Sequence, residues 1–455
     1  MRKLILSLAA TPLILGSMAV SAQAADDGFN VFSDVKFKGE LRPRYQFTDK
    51  KATTADAGHQ LTNRTNLNFS AKLFEVDGFN GTMELNAVND FGTEAQTNKD
   101  VGGEATVAKI SQANISYTVA GVTGIAGRKT VNLDNQRFIG SVGWKQNFQT
   151  LDLAAVAYGT GDFNILAAYV YGVNAIADDG YNYGRGMYYG NLDLDPGRNN
   201  GNGPNLTLSG RTNSVAVNAS YKIFDPLKIT GYAYLLGSAS DTYGLAATGK
   251  FKAAEGVAMN YRAEFAMQAA ASLSTVADGT LGGGTGHKDS ALGDAMYMNL
   301  DFGANIYGIL AGLNYEVLGG ADAKDDKTTS FQTPLATKHK FNGWADQFLA
   351  TPGTGLADFN FRVGYKSKPV GKALLVYHMF GAAADGTTAS GIKAGDAYGS
   401  EIDLLYTRAV PNVSGLNVLV KGAIFMNDDK VNGATSYNDD VTMAWVQLDY
   451  KFATK

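Results

Sequence analysis

The 455-residue chain has no cysteine, only 4 histidines and only 9 prolines. The missing cysteine excludes a disulfide framework, a thiolate metal centre and a c-type haem attachment. His59, His287, His339 and His378 lie far apart, three of them in expected loops, and none stands in a nucleophile or metal-ligand spacing. The chain therefore reads as a non-enzyme, with no cofactor and no metal. A formal net charge of −4 without any basic domain gives nucleic-acid binding no support. Past the N-terminus there is no uninterrupted apolar run of the roughly 18 residues a transmembrane helix needs. If this chain crosses a membrane, it does so as strands.

The N-terminus itself has the three parts of a secretory signal. Arg2 and Lys3 precede an apolar stretch from Leu4 to Val20, and Ala22-Gln23-Ala24 offers a small-residue cleavage site. The expected organisation is a signal peptide over 1–24, a periplasmic segment over 25–34 and a barrel over 35–455. Without Arg2 and Lys3 the 39 basic residues become 37 against 43 acidic ones, a charge of −6.

What is abundant is glycine (54) together with tyrosine and phenylalanine (23 each), a composition that suits pleated segments joined by turns. From Val35 to Phe47, Val35, Phe37, Leu41, Tyr45 and Phe47 share one face, and Lys36, Lys38, Glu40, Arg42, Arg44 and Gln46 the other. The same period of two recurs in 62–73, 111–119, 259–268 and 444–452. One such strand fits a soluble sandwich as well as a barrel, but the connections discriminate. Eight tight turns are expected near 76–81, 120–124, 159–162, 224–227, 253–256, 304–308, 367–372 and 411–415. They alternate with long polar stretches near 48–61, 89–108, 130–147, 174–210, 237–246, 270–293, 318–356, 381–400 and 427–440. Eight turns join sixteen strands, and a first and a last strand outside them make eighteen, an even number with both termini on the short-turn side. The fold class is all-β: a transmembrane antiparallel up-and-down barrel with short periplasmic turns and long extracellular loops. Tyr45, Phe47, Phe74, Tyr221, Phe224, Tyr315, Tyr365, Tyr406 and Phe452 fall near expected strand ends, where membrane interfaces lie.

Three stretches, GRKTVNLDNQRFIGSVGWKQNFQTLD (127–152), HKFNGWADQFLATPGTGLADFNFRVGY (339–365) and the closing hairpin over 399–452, resemble the alginate-export family of outer-membrane barrels and the porins grouped with it. The resemblance implies a monomeric eighteen-strand barrel around an aqueous pore. Some members of that family pass an anionic polysaccharide through a lumen lined by arginine and lysine; other relatives pass small solutes. One departure is that Phe452, the aromatic expected to close the last strand, is followed by Ala453, Thr454 and Lys455.

In such a barrel the lumen is the functional surface. The basic residues expected to line it are Lys36, Lys38, Arg42, Arg44, Arg64, Lys72, Arg128, Arg262, Arg362 and Lys421, accompanied by Glu40, Glu84, Asp152, Glu264, Asp301, Glu316, Glu401, Asp403 and Asp449. They offer either a ladder of weak sites for anions or a set of cross-strand ion pairs that keeps the lumen wet. Residues 130–147 are a candidate constriction loop, pinned to the wall by Asp134, Asn135, Arg137 and Lys145; the alternative is a solvent-facing loop that satisfies its own polar groups. The aromatics Phe341, Trp344 and Phe348 either stack on sugars or pack their loop. Asp193 and Asp195 resemble a calcium loop only weakly, and Asp428, Asp429, Asp439 and Asp440 make either a solvated loop or a site for cations bridging lipopolysaccharide.

The function expected is a porin in the outer membrane of a Gram-negative bacterium, passing small hydrophilic solutes, anions among them. Its partners would be outer-membrane lipid, lipopolysaccharide and the solutes or anionic oligosaccharides themselves. Export of an anionic polysaccharide is the first alternative; a surface adhesin or structural outer-membrane protein is the second.

Overall fold

The computed structural model describes residues 30–51, 57–91, 106–176, 210–237, 239–273, 295–320, 330–385, 392–428 and 440–454. The proposed signal peptide, His287, Asp193, Asp195, Asp429 and Asp439 lie outside these residues.

Eighteen strands follow one another in chain order. They are β1 (Phe32–Lys50), β2 (Gly58–Leu73), β3 (Phe79–Asp90), β4 (Val107–Val119), β5 (Val122–Lys129), β6 (Thr150–Gly159), β7 (Phe163–Asn174), β8 (Gly210–Phe224) and β9 (Leu227–Leu236). The second half comprises β10 (Ser240–Ala254), β11 (Val257–Ala269), β12 (Ala295–Ile306), β13 (Ile309–Leu318), β14 (Leu356–Ser367), β15 (Gly371–Gly381), β16 (Ala397–Ala409), β17 (Leu416–Asn427) and β18 (Val441–Ala453). Each strand pairs antiparallel with its neighbour in sequence, and β1 also pairs with β18, from Lys38 opposite Ala453 to Lys50 opposite Val441. The sheet has no free edge, the condition for a sheet to span hydrocarbon with every backbone group satisfied.

All eight expected tight turns occur where the sequence placed them. Two are two-residue hairpin turns with positive φ at both positions, Ala120 (49°) with Gly121 (81°) and Tyr307 (50°) with Gly308 (93°), the geometry that matches the right-handed twist of the flanking strands. One expectation fails at the opposite end. The long loop over 237–246 is a three-residue connection from Leu236 to Ser240, and Asp241 to Ala246 are already paired in β10. The polar run Ser238-Ala239-Ser240-Asp241 looks like loop, yet Thr242, Gly244 and Ala246 alternate with Tyr243 and Leu245 from there on. His59, expected in a loop, lies in β2, where its Nδ1 is 2.6 Å from the Tyr45 hydroxyl.

Burial is inverted relative to a soluble sheet. In β14, Asp358 is 1% exposed, while the intervening Phe361 and Val363 are 40% and 48% exposed. Over most of the sheet the polar register faces the enclosed side and the apolar register faces out. Exposed aromatics gather near both rims: Tyr158, Tyr221, Phe224 and Tyr365 by the short turns, Tyr45 and Tyr243 by the long connections.

A second core sits inside the barrel. Phe138, Ile139, Phe331, Leu335 and Phe348, all from the connections 130–149 and 330–355, are buried against inward-facing Tyr232, Tyr297, Phe380, Tyr398 and Phe425. This core is what fixes the two loops in the lumen.

Candidate functional site

Loop 130–149 reaches across the barrel. At one wall, Arg42 Nη1 donates to the carbonyl of Gly143 at 2.9 Å and Arg64 Nη1 to that of Lys145 at 3.1 Å, while Arg44 donates to the Trp144 carbonyl. Gln146 returns two bonds from its Nε2, 3.0 Å each, to the Arg42 carbonyl and the Thr62 hydroxyl. At the other end of the loop, Asp134 pairs with Arg262 of β11, and Arg137 Nε donates to Glu316 of β13 at 2.8 Å. β2 and β11 are nine strands apart in a ring of eighteen, so these anchors face one another across the lumen. Strand spacing and tilt give a barrel of this size a backbone diameter of about 35 Å. The nine peptide links from Asp134 to Gly143 span at most about 30 Å, enough once the arginines extend inward.

Loop 330–355 lies against it. Ile139 and Leu335 form a parallel bridge, Gly140 N donates to the Leu335 carbonyl at 2.9 Å, and Val142 N to Thr337 Oγ1 at 3.1 Å. Gln149 Nε2 donates to the carbonyls of Gly140 and Leu335, at 2.8 and 3.1 Å, and Lys340 Nζ to the carbonyl of Asn135 at 2.8 Å. Gly140 is required here, because a Cβ would stand 2.2 Å from Thr337 Oγ1. Asp134, Gln136, Val142, Asn342 and Asp346 all have positive φ, from 48° to 71°. For a β-branched residue such as Val142 that conformation is strained, and the surrounding bonds hold it.

The expected lining residues can now be placed. Lys36 and Lys38 are exposed on β1 near the short-turn end. Lys72 pairs with Asp77 at 2.6 Å, which raises the Lys72 pairing partner's acidity: the Lys72 ammonium holds the Asp77 carboxyl below its usual range. Arg42 bridges Glu40 (3.0 Å) and Asp449 (2.6 Å), and Arg64 pairs with the same Glu40. Arg128 pairs with Asp152 at 2.8 Å, Arg262 with Glu264 at 2.8 Å as well as Asp134, and Arg362 with Asp301 at 2.7 Å. The basic residues are thus mostly matched by carboxylates. Asn135 accepts the Arg137 backbone N–H on its Oδ1 at 3.0 Å, and Lys145 contributes its backbone carbonyl.

Two groupings escaped the sequence reading. Arg137 is 2% exposed and its partner Glu316 is 3% exposed; Tyr297 OH (2.7 Å) and Asn342 Nδ2 (2.6 Å) also donate to Glu316, and Asn342 accepts from Arg137 at 2.9 Å. Beside this network, Asn342 Nδ2 reaches Asp358 at 3.2 Å, and Asp358 accepts from His378 Nδ1 at 2.9 Å. Glu401 and Asp403 complete an acidic wall on β13 to β16, three strands from the arginines of β1 at its near edge.

The second grouping surrounds Lys421 of β17. Its Nζ lies 3.8 Å from the ring centre of Trp344, 4.3 Å from that of Trp144 and 5.4 Å from that of Trp445, all three tryptophans of the chain. The same Nζ is 2.6 Å from His339 Nε2, and His339 Nδ1 is 2.7 Å from Asp346 Oδ1. These partners dictate the tautomer: Nδ1–H donates to Asp346 and Nε2 accepts from Lys421. The His339 ring stacks on Trp144 at 4.8 Å and 6°, and the Arg44 guanidinium lies 4.1 Å from the centre of the same indole. Phe348 packs on Phe380 at 4.6 Å. The loop aromatics therefore pack the loops onto the wall. Three tryptophans in a chain of 455 residues were the available signal, but nothing in their spacing brings them together.

No protein-family model matches the chain, and no curated protein sequence matches it. Solved structures do. Acinetobacter baumannii OccAB2 superposes with a TM-score of 0.67 at 14% identity, over 93% of this chain and 99% of that one. Acinetobacter baumannii OccAB3 gives 0.66 at 13%, over 92% and 100%, and Pseudomonas aeruginosa OccK1 (OpdK) gives 0.65 at 13%, over 94% and 100%. The resemblance to the alginate-export family finds no support in these comparisons; what they establish is that the chain shares its closed eighteen-strand antiparallel barrel with the Occ and Opd structures.

Proposed function

We propose that the chain is a porin of a Gram-negative outer membrane, a monomeric channel for passive diffusion of small hydrophilic solutes, anions among them. The observation that carries this reading is the inverted barrel: closed, apolar toward the outside, polar toward the inside, with its lumen crossed by two docked loops. The barrels it resembles are outer-membrane porins, which supports both the activity and the location. Outer-membrane lipid and lipopolysaccharide would meet the exposed apolar face and the long-loop rim. Solute would pass the loops 130–149 and 330–355, which act as the constriction.

The charge pairing moderates the expected preference for anions. Arg42 and Arg64 are matched at that wall by Glu40 and Asp449. Weak sites of this kind let a solute enter and leave. Export of an anionic polysaccharide needs a stronger and wider basic track, and no observation favours it.

Planar-bilayer recording tests the reading. Discrete conductance steps that persist in the presence of an oligouronate are expected. Strong voltage-dependent block by that oligouronate would point to export instead, and no conductance at all would leave a structural or adhesive role.

A further inference from the structure

The Lys421 site has properties that a simple structural anchor lacks. His339 is 4% exposed and belongs to loop 330–355, whereas Lys421 belongs to the wall. The single bond between them works only while the imidazole is neutral, because Nε2 must accept from an ammonium. A proton on Nε2 replaces that bond with two cations facing each other inside a ring of indoles. Asp346, on the same loop, keeps its bond to Nδ1 in either state and travels with the histidine. The other charged groups around the site are Lys145 from loop 130–149, Arg44 from β1 beyond Trp144, and Glu401 and Asp403 from β16 beyond Lys421. None of the carboxylates of β16 touches the imidazole, so none takes over the role of Lys421 as its partner.

We propose that His339 is an acid-sensitive latch: its protonation releases loop 330–355, and with it Trp144 and loop 130–149, from the β17–β18 wall, widening the lumen at low pH. The strained Val142 and the Gly140 contact tie the two loops together, so that release of one frees the other. Burial, with Lys421 and Lys145 behind it and Asp346 opposing, pushes the His339 pKa down from 6.5 to about 4. A released loop returns the imidazole to its ordinary value. Proton binding then favours the released state as pH falls from 6.5 towards 4, and the docked state is unaffected above 6.5. The shift in the docked-to-released ratio is about 30-fold at pH 5 and about 150-fold at pH 4.

All three tryptophans sit in the latch, so intrinsic fluorescence reports it directly. The inference relies on the porin reading only for its electrical readout. The experiment measures acrylamide quenching of tryptophan in liposome-embedded protein, and single-channel conductance, from pH 7 to pH 4. Quenching and conductance should both rise with a midpoint between pH 4 and 6.5 in the wild type. His339→Gln keeps an acceptor for Lys421 and a donor for Asp346 but does not titrate, and should stay docked and flat over that range. Lys421→Gln keeps a donor and removes the facing charge, and should show a reduced response; it carries the test if His339→Gln is already released at pH 7. A flat wild type, or a His339→Gln variant that follows the wild type, overturns the latch. Quenching that responds without any conductance leaves the latch standing and removes the channel.

Discussion

Replacing Arg137 by methionine isolates the strongest single anchor between loop 130–149 and the wall. The guanidinium and Glu316 are 2% and 3% exposed and 2.8 Å apart. Removing one partner of such a buried pair usually costs about 3–5 kcal/mol, since a bare carboxylate remains in a poor solvent. Here the carboxylate keeps two donors, Tyr297 OH at 2.7 Å and Asn342 Nδ2 at 2.6 Å. Methionine also retains apolar contact where Arg137 now lies 4.7 Å from the Phe341 ring centre. The expected loss of docking energy is therefore nearer 2–3 kcal/mol, a shift of about 30- to 150-fold in the docked-to-released ratio. Dwell-time analysis of single channels at pH 7 reads that ratio as time spent in the larger conductance level. The double variant Arg137→Met with Glu316→Gln removes the stranded charge and should recover part of the loss. Dwell times of Arg137→Met indistinguishable from wild type would refute the idea that this pair holds the loop.

Gly140→Val forces a branched side chain into the 2.2 Å gap beside Thr337 Oγ1, and should undock the two loops from each other while leaving the barrel intact, seen as raised acrylamide quenching with unchanged strand content by circular dichroism. The triple change of Arg42, Arg44 and Arg64 to glutamine should lower anion over cation permeability and raise conductance together, because the same arginines hold the carbonyls of 143–145; an unaltered reversal potential in a salt gradient would reject their part in selectivity. Leu300→Arg on the outward face of β12 should cost about 2–4 kcal/mol if that position meets the hydrocarbon centre, measured as a lower unfolding midpoint in lipid, and no change would argue against a membrane-facing register there.

Much of the barrel was legible because its physics is local. A period of two declares a strand, a tight turn needs glycine or a positive φ, and both repeat often enough to count. The count failed to matter at 237–246, where a polar start hid a strand whose later alternation was plain. The interior was less legible, for two reasons. Arg137 meets Glu316 across 179 residues and His339 meets Lys421 across 82, separations that no local pattern encodes. The second reason is that an occupied lumen changes the rule for the inner face. In β9 Tyr232, Tyr234 and Leu236 point inward where an open pore would carry polar groups, so that strand is apolar on both sides. Such a doubly apolar stretch in an otherwise alternating chain is the mark of a wall against which something folds.

The loop that gathers amides, acids and an arginine over 132–152 can be understood in these terms. Its Gln146, Asn147 and Gln149 are almost wholly buried, a cost that only bonding repays. Gln146 and Gln149 spend their amides on the wall and on the neighbouring loop, and Arg137 spends its charge on Glu316. None of these groups is left exposed. The charges near solvent are of another kind: Lys36 and Lys38 lie open near the short-turn end, and Lys72 is partly exposed beside Asp77. On the proposed channel reading, two populations of charge divide the work, a buried one that positions the constriction and an exposed one that meets the solute. It follows that neutralising Arg137 should change how wide the channel opens, neutralising Lys36 and Lys38 should change which ions prefer it, and neutralising Arg42, Arg44 and Arg64, which carry charge and also hold the loop carbonyls, should change both.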